Sequence, residues 1–121
     1  MSMTKTILVV EDNDSLREAF CEILRDQGYD VVPAAHGQEA LDHLHDDPGV
    51  SLIFLDLNMP VMDGRRFRQI QLEDPALSSI PVIILTATAR EDKEAKQIGV
   101  VDWLKKPAAV GRLIELTRAH A

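Results

Sequence analysis

The sequence predicts an α/β fold in which a doubly wound, five-stranded parallel sheet is covered by helices on both faces. Five short apolar runs, rich in β-branched residues, alternate with segments of helical spacing. The runs are apolar almost throughout, which is typical of strands buried on both faces. A length of 121 residues fits one core of ordinary size. We therefore expect one domain spanning residues 1–121.

The first strand is predicted at Thr6–Val10, and a helix follows in which apolar residues recur every three or four positions. Asp14 or Ser15 is predicted to cap this helix, and Gly28 to end it. The second strand is predicted at Val31–Pro33. Because proline has no N–H to donate to a neighbouring strand, this strand is expected at an edge of the sheet.

The later strands and helices continue the same alternation. Strands are predicted at Leu52–Leu55, Val82–Leu85 and Val100–Leu104, and the glycines Gly49 and Gly99 are predicted to follow the ends of the second and fourth helices. The apolar positions of the five helices are Leu16, Ala19, Phe20, Ile23 and Leu24; Ala40, Leu41 and Leu44; Phe67 and Ile70; Ala95 and Ile98; and Val110, Leu113, Ile114 and Thr117.

The sequence predicts the strand order 2-1-3-4-5, a flavodoxin-like arrangement. This order places strand 2 at an edge and allows right-handed crossovers between parallel strands. In this order the direction of winding reverses between strands 1 and 3. Ligands of such sheets bind at this point, outside the carboxyl ends of the strands. The order therefore predicts a site where strands 1 and 3 end.

Acidic residues stand at both of these strand ends: Glu11 and Asp12 follow strand 1, and Asp56 follows strand 3. Carboxylates that lie close together resist joint ionisation unless a cation neutralises them, and such oxygen ligands suit Mg²⁺. Thr86 ends strand 4, Lys106 follows strand 5, and both should reach the same edge. A carboxylate nucleophile beside a metal, a hydroxyl and an ammonium group is the set that phosphoryl transfer onto aspartate requires.

These residues, in this order, resemble the receiver domain of bacterial two-component response regulators over nearly the whole chain. The resemblance implies that Asp56 is the phospho-acceptor, and that Glu11, Asp12, Asp56 and the backbone carbonyl of Asn58 form a Mg²⁺ site. It also implies that Thr86 is a switch hydroxyl and that Lys106 contacts the phosphoryl group.

Further matching positions are the loop from Met59-Pro60 to Asp63-Gly64, the aromatic switch residue Trp103, and Pro107, which is often cis in this family. Two departures concern the surface that usually contacts downstream partners. The segment from Thr86 to Lys106 is about two residues shorter than expected for the family, and Ala108 replaces a residue that is often aromatic.

The resemblance implies a signalling switch rather than an enzyme, since a receiver catalyses only its own phosphorylation and dephosphorylation. The phosphoryl donor would be a sensor histidine kinase or a histidine phosphotransfer protein. A downstream protein would bind helix 4, strand 5 and helix 5. We expect a stand-alone receiver, although the sequence is equally compatible with a fragment of a larger regulator.

Composition narrows the classes of partner. The net charge of −7 disfavours direct nucleic-acid binding, and no apolar stretch approaches the length of a membrane span or a signal peptide, so we expect a cytoplasmic protein without a membrane partner. The lone Cys21 excludes a disulfide within the chain and is expected in the core or at its boundary. The four histidines, and the arginines Arg65, Arg66 and Arg68, are expected to be solvated.

Two alternatives from other classes remain open at this point. A metal-dependent phosphatase with an aspartyl-phosphate intermediate would share Asp56, Mg²⁺, Thr86 and Lys106, but it normally has a second acid where this chain has Asn58. A flavodoxin-like flavin-binding module would share the fold. It would need a phosphate-binding loop after strand 1, where the acidic run from Glu11 to Asp14 would repel phosphate.

Overall fold

The computed structural model describes residues 4–121, which form a five-stranded parallel sheet in the order β2-β1-β3-β4-β5 with five helices. The predicted fold and strand order are confirmed. The strands are β1 Thr6–Val10, β2 Asp30–Ala34, β3 Leu52–Asp56, β4 Val82–Thr86 and β5 Asp102–Lys105. The helices are α1 Asp14–Asp26, α2 Gly37–Asp46, α3 Gly64–Glu73, α4 Ala89–Gln97 and α5 Val110–His120.

Alternate residues of the central strands serve two separate cores. Leu8, Ile53 and Ile84 pack with apolar residues of α2, α3 and α4 on one face of the sheet. Their strand neighbours, including Phe54 and Leu85, pack with α1 and α5 on the other face. Cys21 is buried in this second core as a free thiol, as expected. Because successive side chains of a strand point to opposite faces, a continuous apolar run fills both cores.

Strand β2 lies at an edge, as Pro33 predicts. Within residues 4–121 it pairs with β1 alone, and Pro33 stands opposite Val9 in that ladder. At the other edge, β5 begins at Asp102, two residues later than predicted. Val100 and Val101 are apolar but precede the strand, and Val101 remains 47% exposed. An apolar run indicates a tendency to be buried. It does not by itself show at which residue the hydrogen bonds of the strand begin.

The predicted cap of α1 is wrong by one residue. The side chain of Asn13 accepts a hydrogen bond from the backbone N–H of Leu16 at 2.9 Å, whereas Asp14 is already helical and pairs with Arg17. His36, expected to be solvated, is half-buried and caps α2, where its Nδ1 accepts from the N–H of Glu39. Short polar acceptors just before a helix are the groups that satisfy its free N–H donors.

Two of the three glycines predicted at helix ends have left-handed backbone angles: φ is +93° at Gly28 and +74° at Gly99. Gly49 does not, because Asp47 ends α2 in an extended conformation and its carboxylate then accepts from the N–H of Gly49. Within residues 4–121, none of the helices is long and apolar enough to span a membrane.

The expected solvation of the arginines on α3 is wrong for Arg68, which is buried. Its two terminal nitrogens donate to the side-chain oxygen of Gln71 and to the carbonyl of Gly99. Gln71 is fully buried and its amide donates to the carbonyls of Leu77 and Ile80, each at 3.0 Å. We call these side chains and carbonyls the Gln71 network. It ties α3 to the segment after it and to the turn before β5.

Candidate functional site

Three carboxylates meet where β1 and β3 end. Glu11 and Asp12 follow β1, Asp56 is the last residue of β3, and one carboxylate oxygen from each lies within 4.8 Å of the others. Glu11 and Asp56 are buried, while Asp12 is exposed. We call these three residues the acidic cluster. The neighbouring, parallel positions of β1 and β3 in the sheet bring together residues 45 positions apart in sequence, from Glu11 to Asp56.

Lys106 lies between the two buried carboxylates. Its ammonium donates to both oxygens of Glu11, at 2.8 and 3.1 Å, and to Oδ2 of Asp56 at 3.2 Å. Lys105, its neighbour in sequence, points elsewhere: its ammonium lies 3.5 Å from Asp92 of α4 and the side chain is 59% exposed. Of the two adjacent lysines, therefore, Lys106 is the one beside Asp56. The peptide bond from Lys106 to Pro107 is cis.

Burial and mutual repulsion shift the pKa values of Glu11 and Asp56 in opposite directions. Burial and the hydrogen bond with Asp56 raise the pKa of Glu11 to about 8. Burial would also raise the pKa of Asp56, but the hydrogen bond with Glu11 and the charge of Lys106 outweigh it and lower that pKa. Of the two buried carboxylates, Glu11 is therefore the one whose protonated form is favoured. Burial works to lower the pKa of Lys106, and its contacts with both acids raise it on balance.

The loop after β3 is packed closely against the end of that strand. The backbone N–H of Asn58 donates to Oδ1 of Asp56 at 3.1 Å, and the N–H of Gly64 donates to the carbonyl of Leu57. A Cβ atom at Gly64 would collide with the backbone carbonyl of Asp56, so only glycine allows this approach. Val61 in the same loop is 80% exposed and has φ of +64°, a strained angle for a β-branched residue.

Arg65 joins this loop to α4, contrary to the solvated role expected for it. Its Nε and Nη2 contact the two carboxylate oxygens of Glu94, the second at 2.9 Å, and Nη1 lies 3.3 Å from the side-chain oxygen of Asn58. The paired contact with Glu94 raises the pKa of Arg65 and lowers that of Glu94. A bidentate arginine–carboxylate pair fixes orientation as well as charge.

Thr86, the last residue of β4, is fully buried, and its hydroxyl donates to Oδ1 of Asp92 at 2.6 Å. Trp103 on β5 pairs in register with Ile84, is half-buried against the core beneath α4, and has the ammonium of Lys96 at 5.2 Å from its ring centre. Thr86 and Trp103 thus both lie beside α4. Their roles as switch residues stay predictions.

The donors present fit a hard divalent cation. Carboxylates of Glu11, Asp12 and Asp56 are close enough to share one ion, and Mg²⁺ prefers such oxygen ligands. The raised pKa of Glu11 indicates that the positive charge of Lys106 alone does not balance these carboxylates. Mg²⁺ bound here would supply that charge. The backbone carbonyl of Asn58 as a further ligand stays a prediction.

Sequence reasoning missed Arg65, Glu94 and Asp92 as neighbours of the site. Glu94 is 29 positions from Arg65, and no spacing rule connects them. Asp92 falls in the first turns of α4, where an acidic residue is ordinary because it favours the helix N-terminus. Its contact with Thr86 depends on how α4 leaves β4, which local sequence pattern does not specify.

Comparison with known proteins agrees with this geometry. The chain matches the response regulator receiver domain family over residues 7–118. It is 32% identical over 120 residues to the polar-differentiation response regulator DivK of Brucella ovis, covering 98% of this chain and 97% of that protein.

Two solved structures have the same fold. The chemotaxis response regulator CheY4 of Vibrio cholerae superimposes with a TM-score of 0.89 at 30% identity, covering 98% of this chain and all of that one. The receiver domain of the sensor histidine kinase PA1611 of Pseudomonas aeruginosa gives a TM-score of 0.89 at 28% identity, with 97% of each chain covered. That structure has a magnesium ion coordinated in its active-site cleft.

The match decides between the classes left open by the sequence, because it is to the receiver domain family over nearly the whole chain. Receivers are partners of histidine kinases in two-component signalling. The chain is thus a signalling protein rather than an enzyme, and it belongs to the response regulator receiver domain family.

Proposed function

We propose that Asp56 accepts a phosphoryl group from the phosphohistidine of a histidine kinase or phosphotransfer protein, in a reaction that depends on Mg²⁺. The observation that carries the proposal is the convergence of the acidic cluster and Lys106 on one buried aspartate. In the transfer, the bond between the histidine nitrogen and phosphorus breaks and a bond from an Asp56 carboxylate oxygen to phosphorus forms. The electron pair of the broken bond stays on the imidazole nitrogen.

The neighbours of Asp56 would have different roles in the transfer. Glu11 and Asp12 would hold Mg²⁺ with Asp56 and the Asn58 carbonyl, and bound Mg²⁺ would neutralise charge on the phosphoryl oxygens. Lys106, already 3.2 Å from Asp56, would contact one of those oxygens. The Thr86 hydroxyl would donate to another. The lysine is in place without rearrangement, whereas the threonine hydroxyl has to leave Asp92 first.

The test is intact-mass measurement after incubation with acetyl phosphate and Mg²⁺. We expect the wild type to gain the mass of one phosphoryl group, and Asp56→Asn or chelation of the metal to abolish the gain. Asp63→Asn, which alters a carboxylate in the same loop, should still be phosphorylated. An unshifted wild type, under conditions in which another receiver is phosphorylated, would reject the proposal.

The adjacent lysines provide a matched pair for the role of Lys106. Lys106→Ala should reduce the response to phosphorylation strongly, because it removes the ammonium that contacts Asp56. Lys105→Ala should change it little, since that ammonium is mostly exposed and faces Asp92. Equal losses in the two variants would contradict the assignment.

We further propose that this receiver acts in the cytoplasm and signals through α4, β5 and α5. Exposed apolar residues just before β5 and at the start of α5, Val101 and Val110, support this surface. If Trp103 turns inward on activation, its emission should shift to the blue when beryllofluoride and Mg²⁺ are added. Unchanged emission with the mimic bound would exclude Trp103 as a switch residue.

A further inference from the structure

The buried hydroxyl of Thr86 is held by a side chain outside the set of residues proposed for phosphorylation. Thr86 is fully buried at the end of β4, and its Oγ1 donates to Oδ1 of Asp92 at 2.6 Å. Asp92 belongs to α4, and its other oxygen lies 3.5 Å from the ammonium of Lys105. The contact therefore links the end of β4 to α4.

We propose that Asp92 is a positioning residue that holds the Thr86 hydroxyl on α4 in the unphosphorylated protein and competes with the phosphoryl group for it. The proposal rests on the proposed function of Asp56 and Thr86. A threonine hydroxyl has one proton, so it donates to one acceptor at a time. Asp92 and a phosphoryl oxygen are both charged acceptors, and each would form a strong bond with it.

The competition connects the site to the helix. When Thr86 donates to the phosphoryl group, α4 loses this bond to β4, while Asp92 keeps its pairing with the mostly exposed Lys105. Exposed ion pairs contribute little to the position of a helix. Phosphorylation would thus loosen or shift the first turns of α4 without any direct contact between α4 and Asp56.

Removal of the competing acceptor should favour the phosphorylated form. We expect Asp92→Ala to bind beryllofluoride, in the presence of Mg²⁺, about tenfold more tightly than the wild type, which is the size of one charge-assisted hydrogen bond at the weaker end of its range. Asp92→Asn keeps the shape of the side chain with a weaker, neutral acceptor, and should give a smaller gain of roughly threefold. Asp92→Asn also serves if Asp92→Ala does not fold.

Two controls separate this role from a general effect of charge. Asp102→Ala removes the same charge from a residue of similar exposure, 27% against 24%, that pairs with Arg112 instead. It should leave beryllofluoride affinity unchanged. In a Thr86→Val background, Asp92→Ala should have no effect either, because there is no hydroxyl to release. Affinity for Mg²⁺ alone should be the same in the wild type and Asp92→Ala.

The outcomes distinguish this proposal from the one on which it rests. If the wild type fails to bind beryllofluoride through Asp56, the proposed function is wrong. If the wild type binds it and neither Asp92 variant binds more tightly, Asp92 is structural and only this inference is overturned. The inference is equally overturned if Asp102→Ala produces the same gain, or if the gain persists without the Thr86 hydroxyl.

Discussion

Two clusters of buried polar side chains in this protein, the Gln71 network and the acidic cluster, use burial in opposite ways. In the Gln71 network the polar atoms of Gln71 all have partners, and the charged Arg68 is bound to an amide oxygen and a carbonyl. In the acidic cluster, Glu11 and Asp56 are as deeply buried but carry the same charge, and one lysine serves both. A satisfied network stabilises a fold, whereas unbalanced charge creates affinity for a cation.

The Gln71 network is not free of cost. Among the buried side-chain atoms of residues 4–121, the Nε of Arg68 lacks a hydrogen-bond partner, and burial lowers the pKa of this arginine. Unlike the acidic cluster, the network joins α3 to two neighbouring segments. Its hydrogen bonds offset the cost of burying Arg68.

Gln71→Leu should give the largest loss of stability. It keeps the approximate volume but removes the amide that donates to the carbonyls of Leu77 and Ile80 and the oxygen that accepts from Arg68. We expect the free energy of unfolding in urea to fall by about 3 kcal/mol. The control Gln69→Leu alters an exposed residue of the same helix and should change it by less than about 0.5 kcal/mol. Similar losses from both variants would show that the network contributes nothing specific.

The acidic cluster should make the metal-free protein less stable as pH rises. The pKa of Glu11 is about 8 in the folded protein against 4.5 as the ordinary value, so the folded state binds the extra proton between these limits. The contribution of Glu11 to the free energy of unfolding is complete below pH 4.5 and is lost as pH rises through 8. The lowered pKa of Asp56 acts only in acid and the raised pKa of Lys106 only in strong base, so neither opposes the trend in this window.

We therefore expect the free energy of unfolding in EDTA to decrease by roughly 2 kcal/mol between pH 5 and pH 9, with the charge shared among the coupled groups. Glu11→Gln imitates the protonated acid at every pH and should flatten the profile. Adding Mg²⁺ to the wild type should restore stability at high pH, because cation binding favours the deprotonated carboxylates. A wild-type profile as flat as that of Glu11→Gln would mean that Glu11 is ionised at neutral pH.

The same contrast explains what the sequence could predict. Strand order, the two cores and the meeting of Glu11, Asp56 and Lys106 follow from alternation and from strand ends, because parallel strands bring their carboxyl ends to one edge. The Gln71 network and the contacts of Arg65 and Asp92 do not. They join elements through long polar side chains, whose partners depend on how helices settle against the sheet. An arginine on a helix has the same local pattern whether it is solvated or buried.

The pair of Arg65 and Glu94 is more exposed than the buried side chains of either cluster and joins the loop that contains Asn58 to α4. Its side chains are 38% and 26% exposed, so solvent screens the attraction, and a double-mutant cycle with Arg65→Met and Glu94→Gln should give a coupling of about 0.5–1 kcal/mol.

The pair Arg112–Glu115, which lies within α5 and is more exposed, is the matched control and should give roughly 0.3 kcal/mol. Both couplings should shrink in high salt. If the coupling of Arg65 with Glu94 is no larger than that of the control, this pair does not fix the position of α4. The hydrogen bond from Thr86 to Asp92 is then the stronger polar contact between α4 and the site. A larger coupling would instead mean that α4 is held at two points, and that release of Thr86 moves its first turns while Glu94 stays in place.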